Sequence, residues 1–200
     1  LEPITRASVH ARVFLIYLSQ YLSGMSERYK FVEGDAHFIT FAVVGWVDVF
    51  TRREYAEFLL ENLAYCRKNK GLRIYEFVIM PNHVHLIAAA ANGSLGEIMR
   101  DFKTYTSKEL VKMIAANPQE SRKEWMLRIF NEHGAANPQN KGHQFWQQSN
   151  HPIVLDTPEL YEQRSRYLRE NPVRAGMVTD ETAYMWSSAN PHSDLELDEA

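Results

Sequence analysis

Two histidines one residue apart, His83 and His85 in "MPNHVHLIAAA", stand at the head of an apolar run. In extended backbone alternate residues share a face, so the two imidazoles project together, about 6.6 Å apart, while Val84 points the other way. Two ring nitrogens converging from one strand can take adjacent positions on one metal ion. The same spacing also suits one surface and one core histidine, each bonded to backbone. A metal needs at least one further ligand, and "YLRENPVRAGMV" offers a candidate. Tyr167 and Asn171 are four apart, one above the other on a helix face. Asn171 carries a carbonyl oxygen suited to a hard divalent cation, with the Tyr167 phenol one turn away. Read alone, these letters equally describe a tyrosine packed on a sheet and an asparagine capping a helix before Pro172.

The elements that must position these groups follow from periodicity. "HFITFAVVGWV" (37–47) is rich in β-branched and aromatic residues and predicts a strand. In 51–71, Tyr55, Phe58, Leu59, Leu63 and Cys66 recur at helical spacing, and Gly71 stops the helix after a basic last turn. "LRIYEFVIM" (72–80) predicts a second strand, "PN" breaks it, and "HVHLIAA" (83–89) returns antiparallel. Ser94 and Glu97 form a capping box for a long helix that ends near Asn117-Pro118. A short amphipathic helix is predicted over 121–134. A last strand, interrupted by Pro152, falls within 144–155. Thr157-Pro158 opens a final helix, expected to end at Asn171 because Pro172 disfavours helical geometry in the residue before it. The order β–α–β–β–α–(α)–β–α predicts an α+β, ferredoxin-like antiparallel sheet with helices on one face.

Two hundred residues suffice for one domain with a substantial core. The single cysteine, Cys66, excludes an intrachain disulfide and points to the cytoplasm. No apolar run reaches the roughly 18 residues of a membrane span. "VFLIYLSQYL" (13–22) loosely resembles a signal-peptide core, but its flanks are poor and Met25 offers a start. Residues 1–24 are therefore set apart as a leader or upstream segment, 25–186 as one catalytic domain, and 187–200 as a flexible acidic tail. The formal charge of −3 hides an asymmetry. From Thr179 onward there are six acids and no Lys or Arg, which leaves 22 basic against 19 acidic residues in the body. Arg164, Arg166, Arg169 and Arg174 concentrate positive charge in the segment 164–174 against one acid, Glu170. A tail folded over that charge as an inhibitor is one reading of the asymmetry, and a solvated helix face is another.

Taken together, "MPNHVHLI", "GEIMRDFKTYTSKEL", "FWQ" and "YLRENPVRAGMV" resemble, in this order, the single-tyrosine HUH transposases. Within them the likeness is to the REP-associated tyrosine transposases, over roughly Lys30 to Trp186. The resemblance implies that His83 and His85 are the histidine pair, Asn171 the third metal ligand and Tyr167 the nucleophile. It implies Mg²⁺ or Mn²⁺ as cofactor and single-stranded or hairpin-forming DNA as partner, cut and rejoined through a 5′-phosphotyrosine. A homodimer in which a second copy supplies the tyrosine stays open. Arg100, Lys103, Lys108, Arg164, Arg166, Arg169 and Arg174 are candidate phosphate contacts, with Phe145 and Trp146 as candidate stacking platforms for unpaired bases. The metal and the nearby Arg164 and Arg166 are expected to favour the Tyr167 phenolate. Tyr105 and Tyr161 compete as nucleophiles. The chain departs from the family in the inserted 114–142 region and in "QSNHP" after "FWQ". Three rivals remain: a hairpin-binding protein that no longer cuts, a metal-dependent hydrolase of small molecules, which would recruit a further His, Asp or Glu, and a structural dimer component with an inactive partner.

Overall fold

Side chains along β3 (His83–Ala90) divide between two cores. Val84, Leu86 and Ala88 enter the larger one, whereas Ile87 enters a smaller one on the opposite face of the sheet. The computed structural model describes residues 31–138 and 142–199, so the expectation for residues 1–24 lies outside the described residues. Before β3 come β1 (His37–Ala42), α1 (Arg53–Lys70) and β2 (Leu72–Ile79). After it come α2 (Leu95–Ala116), α3 (Lys123–Ala135), β4 (Ile153–Val154) and α4 (Pro158–Arg174). The strands lie in the order β2-β3-β1-β4, and every pair is antiparallel. This is the expected α+β architecture.

The helices, however, occupy both faces rather than one. Leu59 and Leu63 of α1, and Ile98, Phe102 and Leu110 of α2, pack with Ile39, Phe41 and Phe77 in the larger core. Leu168 and Tyr167 of α4 pack with Phe38, Val78 and Ile87 on the other face. Alternation requires this: strands buried on both sides carry apolar residues in both registers, as "HFITFA" and "HVHLIAAA" do.

Local signals set most boundaries. Gly71 terminates α1 in the left-handed conformation, φ 71°. The Ser94 hydroxyl accepts from Glu97 N at the start of α2, and the Thr157 hydroxyl from Leu160 N before Pro158 in α4. Two boundaries differ from expectation. β1 stops at Ala42, because Gly45 (φ 63°) and Trp46 (φ 53°) turn the chain into a 3-10 turn over Val44–Trp46. α4 continues through Pro172 to Arg174. Proline forfeits one helical hydrogen bond there. Burial of Leu168, Asn171 and Pro172, with Ala175 N donating to Asn171 O, holds the added turn.

The acidic segment is docked rather than flexible. Ile79 N donates to Trp186 O, Ser188 N to Phe77 O and Asp198 N to Ile74 O, which covers the outer edge of β2. Leu195 is buried in the larger core. Asp198 and Glu196 pair with Arg67 of α1 at 2.9 and 2.6 Å. The basic partner of these two acids is therefore on α1 and not on α4. An edge strand that would otherwise offer free N–H and C=O groups is closed by the chain itself.

Candidate active site on the second face of the sheet

His83 and His85 follow the turn at Pro81–Asn82 and project toward α4 with ring centroids 4.8 Å apart. Both are buried, at 8% and 2% exposure. Each has its Nδ1 anchored. His83 Nδ1 lies 2.7 Å from Asn82 Oδ1, and His85 Nδ1 lies 2.7 Å from the Thr40 hydroxyl on β1, the strand beside it. Phe38 stacks on the His85 ring at 5.2 Å. His85 Nε2 is fully buried with no hydrogen-bond partner among the described residues. A buried ring nitrogen of this kind is destabilising unless something engages it.

Burial pushes the His83 imidazole down to about 4, against a smaller upward pull from the Asn171 side chain. Burial, then the neighbouring His83 and Arg164, holds His85 well below the usual histidine value. Both rings are neutral at pH 7, the state in which imidazole is a ligand.

α4 brings the other two groups to the same place. The Tyr167 ring lies 5.2 Å from His85 and 5.9 Å from Phe38. The Asn171 carboxamide interacts with both the His83 ring and the Tyr167 hydroxyl. The i, i+4 spacing thus places phenol and amide on one face, as expected. Burial raises the Tyr167 hydroxyl above its ordinary value; Asn171, Arg164 and Arg174 pull it down by less. Arg164 favours the phenolate as expected, and the second arginine differs from expectation. Arg174, whose guanidinium lies 5.7 Å from the Tyr167 ring, takes the place assigned to Arg166, and burial outweighs the arginines. Arg166 is exposed and points to Glu162 at 3.7 Å.

The donor set suits a divalent cation. Two neutral imidazoles with anchored Nδ1 atoms and an amide oxygen leave the ion's charge available to an anionic substrate. Among the described residues no group of three His, Cys, Asp or Glu is placed to hold a metal, and the oxygen-bearing side chain that reaches the His83 ring is that of Asn171. The further acidic or histidine ligand that the small-molecule hydrolase needed is not found among them.

The remaining candidates fall apart spatially. Arg164, Arg166, Arg169 and Arg174 lie on α4, the face of the histidines, whereas Arg100, Lys103 and Lys108 lie on α2, across the sheet. Lys103 is engaged: its Nζ donates to Gln147 O and Asn150 Oδ1 at 2.7 and 2.6 Å. Phe145 and Trp146 have no face open to a base. They are buried in the larger core, and Trp146 Nε1 donates to the Thr106 hydroxyl. Of the competing tyrosines, Tyr105 is exposed on α2, and Tyr161 is pushed up to about 12, mainly by burial. Sequence reasoning missed Thr40, Asp48, Phe38 and the role of Asn82, whose only signal was its place just before His83.

A family model described as "Transposase IS200 like" matches residues 36–130, the span from β1 into α3 that holds both histidines. Residues 36–130 are thus similar to the IS200-like transposases. α4, with Tyr167 and Asn171, lies beyond the matched span. Among solved structures, a REP-associated tyrosine transposase bound to a REP hairpin matches at TM-score 0.57 and 16% identity, covering 88% of this chain and 93% of that one. This likeness is one of fold and extends over most of the chain. A putative transposase from Deinococcus radiodurans R1 matches at TM-score 0.41 and 19% identity, over 74% of this chain and 97% of that one. No curated protein matches the chain. No helix among the described residues is long and apolar enough to cross a membrane.

Proposed function

We propose that this transposase-type protein cleaves and rejoins single-stranded, hairpin-forming DNA, with Tyr167 as nucleophile and a divalent cation, Mg²⁺ or Mn²⁺, held by His83, His85 and Asn171. The observation that carries the reading is the meeting of all four side chains on one face of one chain. When bound, the cation neutralises and polarises the non-bridging oxygens of the scissile phosphate.

The chain's own residues do the rest. Thr40 and Asn82 hold the two imidazoles in place. Asn171 orients the Tyr167 hydroxyl, and Arg164 and Arg174 offset part of the burial that disfavours its anion. Tyr167 Oη loses its proton and forms a bond to phosphorus as the bond to the 3′-oxygen breaks. That oxygen takes up a proton and leaves as a 3′-hydroxyl. The phosphotyrosine keeps the energy of the phosphodiester, so a second 3′-hydroxyl reverses the step and joins strands. This reading needs no tyrosine from a second subunit.

The test is incubation of the full chain with labelled hairpin DNA and Mn²⁺ or Mg²⁺, followed by a denaturing gel. A covalent adduct abolished by Tyr167→Phe and by a chelator is the expected result. An adduct that survives Tyr167→Phe moves the role to another tyrosine. Tight binding with no adduct makes the protein a hairpin binder that does not cut.

A further inference from the structure

Asn82 stands between His83 and the loop after β1. Its Oδ1 is 2.7 Å from His83 Nδ1. Its Nδ2 is 2.7 Å from Asp48 Oδ1 and 3.4 Å from Trp46 O. A carboxylate and a carbonyl only accept hydrogen bonds, so the amide nitrogen must face them. That leaves the amide oxygen on the histidine ring. An amide oxygen also only accepts, so His83 must carry its proton on Nδ1, with the lone pair on Nε2.

The loop is built to keep Asp48 and Trp46 there. Val43 N donates to Asn82 O and Phe50 N to Pro81 O, which staples the histidine turn to residues 43–50. Arg122, at the N-terminus of α3, donates to Asp48 O at 2.9 Å, and Glu120 fixes Arg122 in turn. Trp46 takes φ 53°, an uncommon conformation for a bulky residue, and thereby aims its carbonyl at Asn82. α3 backs this turn closely: a Cβ on Gly45 would sit 2.9 Å from the Ile129 side chain. The Trp46 ring meets the His83 ring edge-on at 6.1 Å.

We propose that Asn82, oriented by the Asp48 carboxylate, is a positioning residue that fixes His83 as its Nδ1–H tautomer and so presents Nε2 as an electron-pair donor to the site. The inserted α3 region, through Arg122 and Ile129, supports this device at a distance from the histidines. Thr40 gives His85 no such one-sided choice, because a hydroxyl both donates and accepts. The consequence for metal binding rests on the reading under Proposed function; the tautomer itself does not.

The experiment is long-range ¹H–¹⁵N spectroscopy of the full chain labelled at histidine, without metal, near pH 7, with His83→Gln to assign the resonances. The parent protein is expected to show a protonated Nδ1 and a bare Nε2 at His83. Asn82→Ala should convert this to a mixture of tautomers. Asp48→Asn, a change at an exposed side chain, should do so partially, because the Asn82 amide is then free to turn over. Mn²⁺ affinity, read by water-proton relaxation, should fall about 10- to 100-fold in Asn82→Ala. An Nε2–H tautomer in the parent, or an unchanged pure Nδ1–H tautomer in both variants, overturns the proposal. If the parent shows the expected tautomer but binds no Mn²⁺, the metal reading fails and the tautomer assignment stands. Mn²⁺ binding with an unperturbed tautomer in the variants overturns the positioning role of Asn82 and leaves the metal reading intact.

Discussion

Replacing Glu120 with glutamine removes a charge that two arginines share. The Glu120 side chain has no exposed surface, and Arg52 Nε and Arg122 Nε donate to its two oxygens at 2.7 and 3.0 Å. Burial alone would raise its pKa, but the bonds from Arg122 and Arg52 outweigh it and bring the carboxyl from 4.5 down to about 2. At ~1.4 kcal/mol per unit, that depression corresponds to about 3 kcal/mol of stability at neutral pH. Because the folded value is the lower one, this contribution is complete above the unfolded value near 4.5. It is lost as pH falls toward about 2. Glutamine keeps the shape but turns one acceptor into a donor facing a guanidinium. Glu120→Gln should therefore lose about 2–3 kcal/mol at pH 7, a fall in Tm of roughly 4–12 °C for a domain of this size. Calorimetry of both proteins at neutral and acid pH checks it, and the gap should close as the parent is acidified. A variant within about 2 °C of its parent at pH 7, or a gap independent of pH, refutes the reasoning.

Other perturbations separate structural from DNA-contacting roles. Burial pushes the Lys103 ammonium down to about 8. The folded state therefore holds fewer protons than the unfolded one between about 8 and 10.5, and parent stability should rise with pH across that window; Lys103→Met should flatten this slope in urea melts. Trp146→Phe loses the bond to Thr106 and opens a void, so about 2–3 kcal/mol of stability should go while DNA affinity stays unchanged. A large loss of affinity in a normally stable variant would return Trp146 to base stacking. Deleting residues 187–200 removes the buried Leu195 and uncovers the β2 edge. Sedimentation should then show a less stable chain that associates as concentration rises, and a stable monomer would contradict the edge argument.

Element order and most caps were legible in the sequence, because a period of two or 3.6, Gly71, Ser94 and Thr157 act locally. What stayed hidden depended on distant partners. Pro172 reads as a stop, but burial of α4 against Phe38 and Val78 carries the helix one turn further. Trp146 reads as an aromatic beside polar residues, and nothing nearby in sequence shows that Thr106 waits for its indole N–H. Tail acids read as solvated until Arg67 and the open backbone of β2 are seen beside them. The residues proposed for the site were legible because each pair lies within one element: His83 with His85 on a strand, Tyr167 with Asn171 on a helix. Their supporting residues were not, since Thr40 and Asp48 reach the histidines only after the strands pair.

The two-faced sheet explains why the candidate site sits where it does. One face is filled by α1 and α2 over a large apolar cluster, and the strands are held there firmly enough to tolerate unfavourable groups on the other. The second face carries only a small cluster beneath α4. Two neutral histidines, one with an unpartnered nitrogen, can persist beside that cluster because neighbouring strands and the 43–50 loop anchor their far sides. An apolar pair at these positions would pack α4 more tightly and leave no electron pairs facing the tyrosine. Stability given up on this face is stability the opposite core supplies, which fits a site whose chemistry depends on buried polar atoms.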